Sequence, residues 1–189
     1  MDEIVLQAMK KWPNVPALFG WLRLDRRGQW YLRGVRIDHA LLTSFIGRNY
    51  ECDEQGRWFF QNGPQRCYVS LEYTPWILRS EPDGRLLTHT GEAVEAIDGA
   101  WIDDNGSLLL RFAKGPALLA DSDLPWALER FRRADGSPAS EAEVMAALEA
   151  PPGEATGLAL AYGDRLIPVE RILAEQVPAH FGFVQEPSE

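Results

Sequence analysis

The sequence is poor in the residues that build metal sites and disulfide frameworks. It has only two cysteines, Cys52 and Cys67, and three histidines, His39, His89 and His180. None has the short spacing to another ligand that marks a zinc site, and no Cys-His pair is signalled. Glycine-rich phosphate loops and the Gly-x-Ser-x-Gly elbow of hydrolases are also absent. We therefore predict no catalytic residue, no metal and no cofactor. A protein without enzymatic activity is favoured, although a spatial cluster of these residues stays open.

Long apolar runs are missing as well. The chain begins Met1-Asp2-Glu3 and lacks the apolar segment of a secretory signal, and no stretch reaches the about 20 residues that a membrane helix needs. Two cysteines in a cytosolic chain of this size are expected to stay reduced. We predict a cytoplasmic protein with free thiols and no membrane partner.

Positive charge is scarce overall and unevenly distributed. The formal net charge is −9, of which residues 1–80 carry +3, residues 81–133 carry −4 and residues 134–189 carry −8. The first block interleaves arginines with tryptophans and tyrosines, which is a pattern of anion-binding surfaces. We favour the simpler interpretation that the acidic end keeps the protein soluble, because a basic excess of three is far from a nucleic-acid footprint. Nucleic acid is therefore not a predicted partner.

Aromatic residues, in contrast, are abundant. Seven tryptophans, with 46% hydrophobic and 25% charged residues overall, favour a folded globular protein rich in β-structure. The thin layers of such a protein need large side chains between them. Turn signals at intervals of about eight to twelve residues are typical of antiparallel sheets. The sequence predicts an α+β fold that is mostly antiparallel β.

A predicted β-hairpin in residues 56–79 is the clearest single feature. Strand-like runs at 58–61 and 66–73 flank Asn62-Gly63-Pro64-Gln65. We predict a four-residue loop, because a two-residue Asn-Gly turn would require Pro64 to donate an N–H. In the second run Cys67, Val69, Leu71 and Tyr73 alternate with Arg66, Tyr68, Ser70 and Glu72. This period of two separates an apolar face from one that meets water.

Helices and further strands follow from apolar spacing and end signals. We predict helices over 2–12, ending at Pro13, over 39–48, with Asp38 as N-cap and Asn49 as C-cap, and near 138–150, beginning with the capping box Ser140/Glu143. A short helical turn is predicted within 125–133. Strands are predicted at 21–24, 29–32, 35–37, 75–79, 85–88, 93–97, 100–102, 107–112, 116–119, 156–161 and 165–169.

One motif recurs along the chain. Asp-x-x-Gly before an apolar run occurs at Asp25, Asp53 and Asp103, and the last two copies are each followed by Pro-Trp 22 residues later. A duplicated half-barrel would produce this pattern. We favour coincidence, because Asp-x-x-Gly is a common turn between strands.

Several segments resemble small proteobacterial families of unknown function that occur as single proteins of about this size. The resemblance lies in Gly28-Gln29-Trp30-Tyr31-Leu32-Arg33-Gly34, the helix over 38–49, Asp53-Glu54-Gln55-Gly56-Arg57-Trp58-Phe59-Phe60 and the strands of 69–78. Weaker similarity runs on through 157–169, so it covers most of the chain from about Phe19. It implies a two-part fold and a role in binding or signalling, with no catalytic residue to carry over. The parts are 1–72, a small helix/strand subdomain with the central hairpin, and 73–189, a larger, curved, half-barrel-like β subdomain with one or two covering helices.

The remaining hypothesis is a ligand- or peptide-binding module with a role in signalling or regulation. A curved sheet leaves a concave face or an open edge, and either suits a small molecule or a peptide. The predicted ligand-binding residues lie beside the hairpin and are expected to be exposed and polar, with a tryptophan as apolar wall: Arg33, Trp58, Gln61, Asn62, Gln65, Arg66, Tyr68 and Trp76. The simpler alternative is that Arg66 and Tyr68 lie on the solvent-exposed face of the sheet and bind no ligand. The other class of function is an assembly or adaptor protein that forms a homo-oligomer through its aromatic surface.

Overall fold

The computed structural model describes residues 1–12 and 14–189 and shows an α+β protein with mostly antiparallel strands, as predicted. The described chain forms two compact units. The first comprises Met1–Pro75 with Gly182–Glu189, and the second comprises Trp76–Phe181. Each unit is built on one sheet, and one of these sheets is a curled half-barrel. Pro13, the predicted end of the first helix, lies outside the described residues.

The first unit contains two helices and a six-stranded sheet. Its elements are α1 (Glu3–Lys11), β1 (Leu18–Leu24), β2 (Trp30–Leu32), β3 (Val35–Arg36), α2 (Ala40–Arg48), β4 (Tyr50–Cys52), β5 (Trp58–Asn62) and β6 (Gln65–Leu71). The strand order is β3-β2-β1-β6-β5-β4, with β1 and β6 parallel and the other neighbours antiparallel. Its core includes Leu24, Ile46, Val69 and Leu71, each at most 2% exposed. Burying each such side chain contributes roughly 1.5 to 3 kcal/mol.

The ends of α2 show one wrong prediction and one confirmed one. The N-cap is His39 and not Asp38, because His39 Nδ1 accepts the Leu42 N–H at 3.3 Å. Asp38 instead forms an ion pair with Arg36. At the other end Asn49 is the C-cap, as predicted, and its N–H donates to the Ile46 carbonyl at 3.1 Å.

The central hairpin forms where predicted, but its loop is shorter. Asn62 and Gln65 are paired residues of β5 and β6, so the turn contains only Gly63 and Pro64. The predicted four-residue loop is therefore wrong. Gly63 adopts φ +57°, while the ring of Pro64 requires a negative φ. These two angles belong to a type II′ turn, in which Pro64 does not need to donate the closing N–H.

The last residues of the chain return to the first unit. Val184 donates to the Gly56 carbonyl at 2.9 Å, and the Leu71 N–H donates to the Gln185 carbonyl at 2.8 Å. Gly56 must be a glycine here, since a Cβ would lie 2.2 Å from the Gly182 carbonyl oxygen.

The second unit contains an eight-stranded sheet and three helices. Its elements are β7 (Trp76–Ser80), β8 (Leu86–Thr88), β9 (Gly99–Ile102), β10 (Leu108–Phe112), β11 (Gly115–Leu119), α3 (Leu124–Leu128), β12 (Phe131–Arg133), α4 (Glu141–Glu149), β13 (Ala155–Tyr162), β14 (Arg165–Arg171) and α5 (Val177–Phe181). The strand order is β12-β13-β14-β9-β10-β11-β7-β8. The β14–β9 and β11–β7 pairs are parallel.

Most predicted elements of this unit are present. The capping box of α4 is confirmed, with Ser140 accepting the Glu143 N–H while the Glu143 carboxylate accepts the Ser140 N–H at 2.7 Å. The strand predicted at 93–97 is wrong, because only Ala93 makes an isolated bridge to Leu87. The helical turn predicted within 125–133 ends at Leu128, and the rest becomes β12.

The three Asp-x-x-Gly segments share one local conformation. Each aspartate Oδ1 accepts the backbone N–H groups two and four residues later, at 2.7 to 3.0 Å. The glycines have φ between +74° and +78°. The two Pro-Trp copies are not equivalent, since Trp76 begins β7 while Trp126 lies in α3. The shared segment is therefore a recurring turn and gives no support for a duplication.

Candidate functional site

Strand alternation divides the predicted site residues of the hairpin between the two faces of the first sheet. Asn62 pairs with Gln65 on one face, and Gln61 pairs with Arg66 on the other. Successive side chains of a strand point to opposite faces. One continuous site containing all of them is therefore not formed.

An apolar cleft of about 250 Å³ lies on the face of Asn62 and Gln65. It is lined by side chains from β1, β2, α2, β5 and β6 and from the segment before α2: Leu18, Trp21, Leu22, Leu32, Ile37, Leu42, Ile46, Phe60, Asn62, Gln65 and Cys67. Three of these, Trp21, Leu32 and Leu42, are 37 to 44% exposed. The cleft is therefore open to water at its mouth.

A bulge in β1 brings Trp21 into the cleft. Leu18 is opposite Cys67 and Leu22 is opposite Val69, so β1 has two more residues than β6 between these pairs. Gly20 lies in the bulge and adopts φ +71°, a conformation that glycine tolerates well. Trp21 and Leu22, which would point to opposite faces of a regular strand, consequently both line the cleft.

The floor and rim of the cleft differ in polarity. Cys67 is 7% exposed, and burial raises the pKa of its thiol to about 11. At the rim, Asn62 is exposed and Gln65 Nε2 donates to the Pro16 carbonyl at 3.3 Å. The cleft thus offers two amides around an otherwise apolar interior.

Arg33 lies beside this rim. Its guanidinium carbon is 3.4 Å from the centroid of the Trp21 ring, and its backbone N–H donates to the Trp21 carbonyl at 2.7 Å. Asn62 and Gln65 thus line the cleft, whereas Arg33 is not among the lining residues and contacts the cleft wall at Trp21, a residue that was not predicted.

The other face of the hairpin carries a polar cluster of Asp53, Arg57, Arg66 and Tyr68. The Tyr68 hydroxyl donates to Asp53 Oδ2 at 2.9 Å and accepts from Arg57 Nη2 at 2.9 Å and from Arg66 Nη1 at 3.4 Å. Burial raises the pKa of Asp53, but hydrogen bonds from the Arg57 backbone and side chain and from Tyr68 outweigh it and lower the pKa. The carboxylate is thus held ionised by its neighbours.

Tyr68 and Gln61 are not exposed, so that part of the prediction is wrong. Tyr68 is 4% exposed because Phe19 stacks on its ring, with 4.6 Å between centroids and an interplanar angle of 8°. Gln61 is 2% exposed, and its Nε2 donates to the Gly63 carbonyl at 3.0 Å. Arg66 lies over Phe59, 4.0 Å from the ring centroid, at the edge of a cavity of about 400 Å³.

The two predicted tryptophans belong to the interiors of the units. Trp58 is 7% exposed and packs against Tyr50, with 4.9 Å between ring centroids. Trp76 is 2% exposed in the second unit, and its Nε1 donates to the Lys114 carbonyl at 3.0 Å. Neither lines the apolar cleft, where Trp21 supplies the indole.

The second unit has a larger, charged cavity of about 630 Å³, which the sequence did not indicate. Arg85 pairs with Asp83 at 2.7 Å, and Arg130 lies 3.6 Å from Glu129. The Tyr162 hydroxyl in its wall donates to the Val94 carbonyl at 2.5 Å. Each of these groups already has a partner within the second unit, so we favour the apolar cleft as the ligand site.

Groups for catalysis or metal binding give no alternative site. Among residues 1–12 and 14–189, no cluster of three or more His, Cys, Asp or Glu side chains is arranged to hold a metal. His39 caps α2, Nδ1 of the half-buried His89 accepts the Ile77 N–H, and His180 packs against Trp101. No helix within the described ranges is long and apolar enough to cross a bilayer.

Trp21, Leu42 and Phe60 are the main cleft residues that the sequence prediction missed. A signal for Trp21 was present, because Gly20-Trp21-Leu22 breaks the alternation expected of a regular strand and glycine often marks a bulge. Leu42 and Phe60 were recognised only as apolar positions of a helix and a strand.

Comparison with known proteins identifies a family and a fold. The family model DUF2944, described as "Protein of unknown function (DUF2946)", matches residues 1–188. Nothing among the curated proteins matches the chain. The predicted resemblance to proteobacterial families of unknown function is confirmed.

Two crystal structures of DUF1285 family proteins are similar to this chain. The protein from Silicibacter pomeroyi DSS-3 is 13% identical, with a TM-score of 0.54, and the match covers 94% of this chain and 98% of that one. The protein from Shewanella baltica OS155 is 15% identical, with a TM-score of 0.43, and the match covers 55% of this chain and 86% of that one. At 13% identity the likeness to the Silicibacter protein concerns the fold alone.

Proposed function

We propose that this chain, which belongs to the DUF2944 family of proteins of unknown function, is a binding module whose first unit holds a small apolar molecule in the apolar cleft. The observation that carries the proposal is the lining of this cavity, which is apolar except for Asn62 and Gln65. Ligand sites in proteins are commonly concave and apolar with a few polar groups that set orientation. The role in signalling or regulation and the cytoplasmic location predicted from the sequence remain part of this proposal.

The size of the cleft favours a small ligand. At about 250 Å³ it lies near the lower end of the range of ligand pockets, which is roughly 300 to 1,000 Å³. It is framed by a sheet and by α2, so much of its wall is fixed before any ligand arrives. A bound apolar molecule would remove the wet surfaces of Trp21, Leu32 and Leu42 from water, which is favourable.

Two neighbouring leucines of α2 provide a test. Leu42 lines the cleft and is 39% exposed, whereas Leu41 is 77% exposed and does not line it. We would titrate the uncharged dye N-phenyl-1-naphthylamine into the wild type, Leu42→Glu and Leu41→Glu, and record the rise in dye fluorescence. We expect saturable binding to the wild type, at least tenfold weaker binding to Leu42→Glu, and affinity within twofold of the wild type for Leu41→Glu. Equal effects of the two variants, or no saturable binding to the wild type, would refute the proposal.

A second function, a homo-oligomer, is favoured by the apolar surface outside the cleft. Leu41 is 77% exposed, and Val35, which pairs with Leu32 across the β2–β3 hairpin, is 71% exposed. Oligomer interfaces bury side chains of this kind at their centre. Light scattering would give a multiple of 21.3 kDa for the wild type and the single-chain mass for Leu41→Glu and Val35→Glu. A wild type of 21.3 kDa would exclude this function.

A further inference from the structure

Arg33 is exposed, and its guanidinium lies over the Trp21 ring. The guanidinium carbon lies 3.4 Å from the Trp21 ring centroid, which is within the range of a cation–π contact. The stack covers a face of the guanidinium, while the N–H donors lie in its plane and point outward. Trp21 is itself a wall of the apolar cleft, so the guanidinium lies against a lining residue although Arg33 is not itself among the lining residues.

The guanidinium donors of Arg33 have no partner in the part of the chain that the structure describes. Among residues 1–12 and 14–189, no hydrogen bond or ion pair reaches the Arg33 guanidinium. Four other arginines of the first unit each pair with a carboxylate: Arg23 with Glu72, Arg36 with Asp38, Arg48 with Asp2 and Arg57 with Asp53. The positioned guanidinium at the cleft is thus available to an anion from outside.

The backbone of Arg33 also departs from what the local sequence would favour. Leu32 pairs with Val35, so Arg33 and Gly34 form a two-residue turn, with φ +49° and φ +81°. Positive φ at both positions is the geometry of a type I′ turn, in which asparagine or glycine is preferred at the first position. Arginine is not a preferred residue at this turn position, so its presence is better explained by a function of its side chain than by the needs of the turn.

We propose that the ligand of the cleft is an organic carboxylate with an apolar body, and that Arg33 is the residue that selects the carboxylate. This inference rests on the proposed function of the cleft. The apolar body lies among Trp21, Leu42 and Phe60, and the carboxylate accepts two N–H groups from one edge of the Arg33 guanidinium. Arginine and carboxylate form such bidentate pairs readily because their geometries match.

The experiment compares two probes of equal chain length. Octanoate is ionised at about pH 7.5, and octan-1-ol is uncharged. Each displaces N-phenyl-1-naphthylamine from the wild type, Arg33→Asn, Arg33→Lys and the control Arg36→Gln. Asparagine suits the first position of a type I′ turn, so Arg33→Asn is expected to fold, and Arg36 lies in the same hairpin.

We expect Arg33→Asn to weaken octanoate binding at least tenfold and to change octan-1-ol binding less than twofold. Arg33→Lys keeps the charge without the planar guanidinium, so its octanoate affinity should lie between those of the wild type and Arg33→Asn. Arg36→Gln should bind octanoate as tightly as the wild type does. An unchanged ratio of octanoate to octan-1-ol affinity in Arg33→Asn would overturn the carboxylate proposal. If the dye and octan-1-ol still bind and Leu42→Glu still weakens dye binding at least tenfold, the proposed function stands without the carboxylate proposal. If no probe binds the wild type, both fail.

Discussion

The Tyr68 hydroxyl joins Asp53 to Arg57 and lies 2.9 Å from Asp53 Oδ2 and from Arg57 Nη2. The ring above this hydroxyl is buried under Phe19. A residue that the sequence placed on the wet face of the hairpin therefore links β6 to the turn between β4 and β5. Its role is structural on one face, while the opposite face of the same strands carries the apolar cleft.

Removing this hydroxyl should destabilise the first unit. We expect Tyr68→Phe to lower the free energy of unfolding by about 1 to 2 kcal/mol, because two charged groups lose a buried hydrogen-bond partner. Urea unfolding measures the change. Tyr31→Phe is the matched control, since the half-buried Tyr31 hydroxyl donates to Asp25 at 3.1 Å in the equivalent turn. Tyr31→Phe should lower the free energy of unfolding by under about 1 kcal/mol. A decrease equal to that of Tyr68→Phe would contradict the prediction.

Cys67 should report on occupancy of the cleft. Burial raises the pKa of its thiol to about 11, so the reactive thiolate falls about tenfold with each pH unit below that value. We expect iodoacetamide to modify Cys67 slowly in a Cys52→Ser background. Saturating N-phenyl-1-naphthylamine should lower this rate of modification at least fivefold further. Cys52 is exposed and lines a different cavity, so its modification in Cys67→Ser should not respond to the dye. Protection of both thiols would argue against a specific site.

His89 should make the second unit less stable in acid. Burial, with a contribution from the nearby charge of Arg79, lowers the pKa of His89 from 6.5 to about 3, although the Ile77 N–H bond opposes the shift. The unfolded chain binds this proton below about pH 6.5, whereas the folded chain does not until about pH 3. The contribution of uncharged His89 to the free energy of unfolding is thus complete above pH 6.5 and is lost as the pH falls towards 3. The total loss is up to about 4 to 5 kcal/mol.

A substitution isolates this effect from the titration of carboxylates. His89→Asn keeps an acceptor for the Ile77 N–H, which donates to His89 Nδ1 at 3.3 Å, and cannot be protonated. The unfolding free energy of the variant, measured in urea at pH 7 and pH 5, should fall less steeply than that of the wild type. Parallel pH profiles would show that His89 is not the group responsible.

The recurring turn should depend on its aspartate. Asp103 is fully buried, and its Oδ1 accepts the N–H groups of Asn105 and Ser107 at 2.9 and 2.8 Å. We expect Asp103→Ala to cost about 2 to 3 kcal/mol, because the buried Ser107 N–H and the Asn105 N–H both lose a charged acceptor. Asp104→Ala, at the exposed neighbour that accepts the Ala174 N–H, should cost about 1 kcal/mol or less by urea unfolding.

Local chemistry made much of the fold predictable. The capping box of Ser140 and Glu143, the C-cap Asn49 and the alternation of Cys67, Val69 and Leu71 depend on residues a few positions apart, so they could be recognised along the chain. The prediction failed where two local signals competed. Asp38 was predicted as the N-cap of α2, but it forms an ion pair with Arg36, and His39 caps the helix instead.

The candidate site was predictable only in part. Arg33, Asn62 and Gln65 were chosen as polar residues near a turn; Asn62 and Gln65 line one cleft, and Arg33 contacts its wall at Trp21. Gln61, Arg66 and Tyr68 were chosen for the same reason but belong to the opposite face. A strand prediction gives the alternation of faces, yet it does not say which face another part of the chain will cover.

The amino-acid sequence by itself determined the class of fold, the position of most strands and helices, and the turns, because spacing, caps and glycines act over a few residues. Only the tertiary structure decided that β1 runs parallel to β6, that Phe19 buries Tyr68 and that Val184 returns to Gly56. These contacts join residues far apart in the chain. Their free energy comes from surfaces that meet after the elements have formed, and local periodicity carries no record of them.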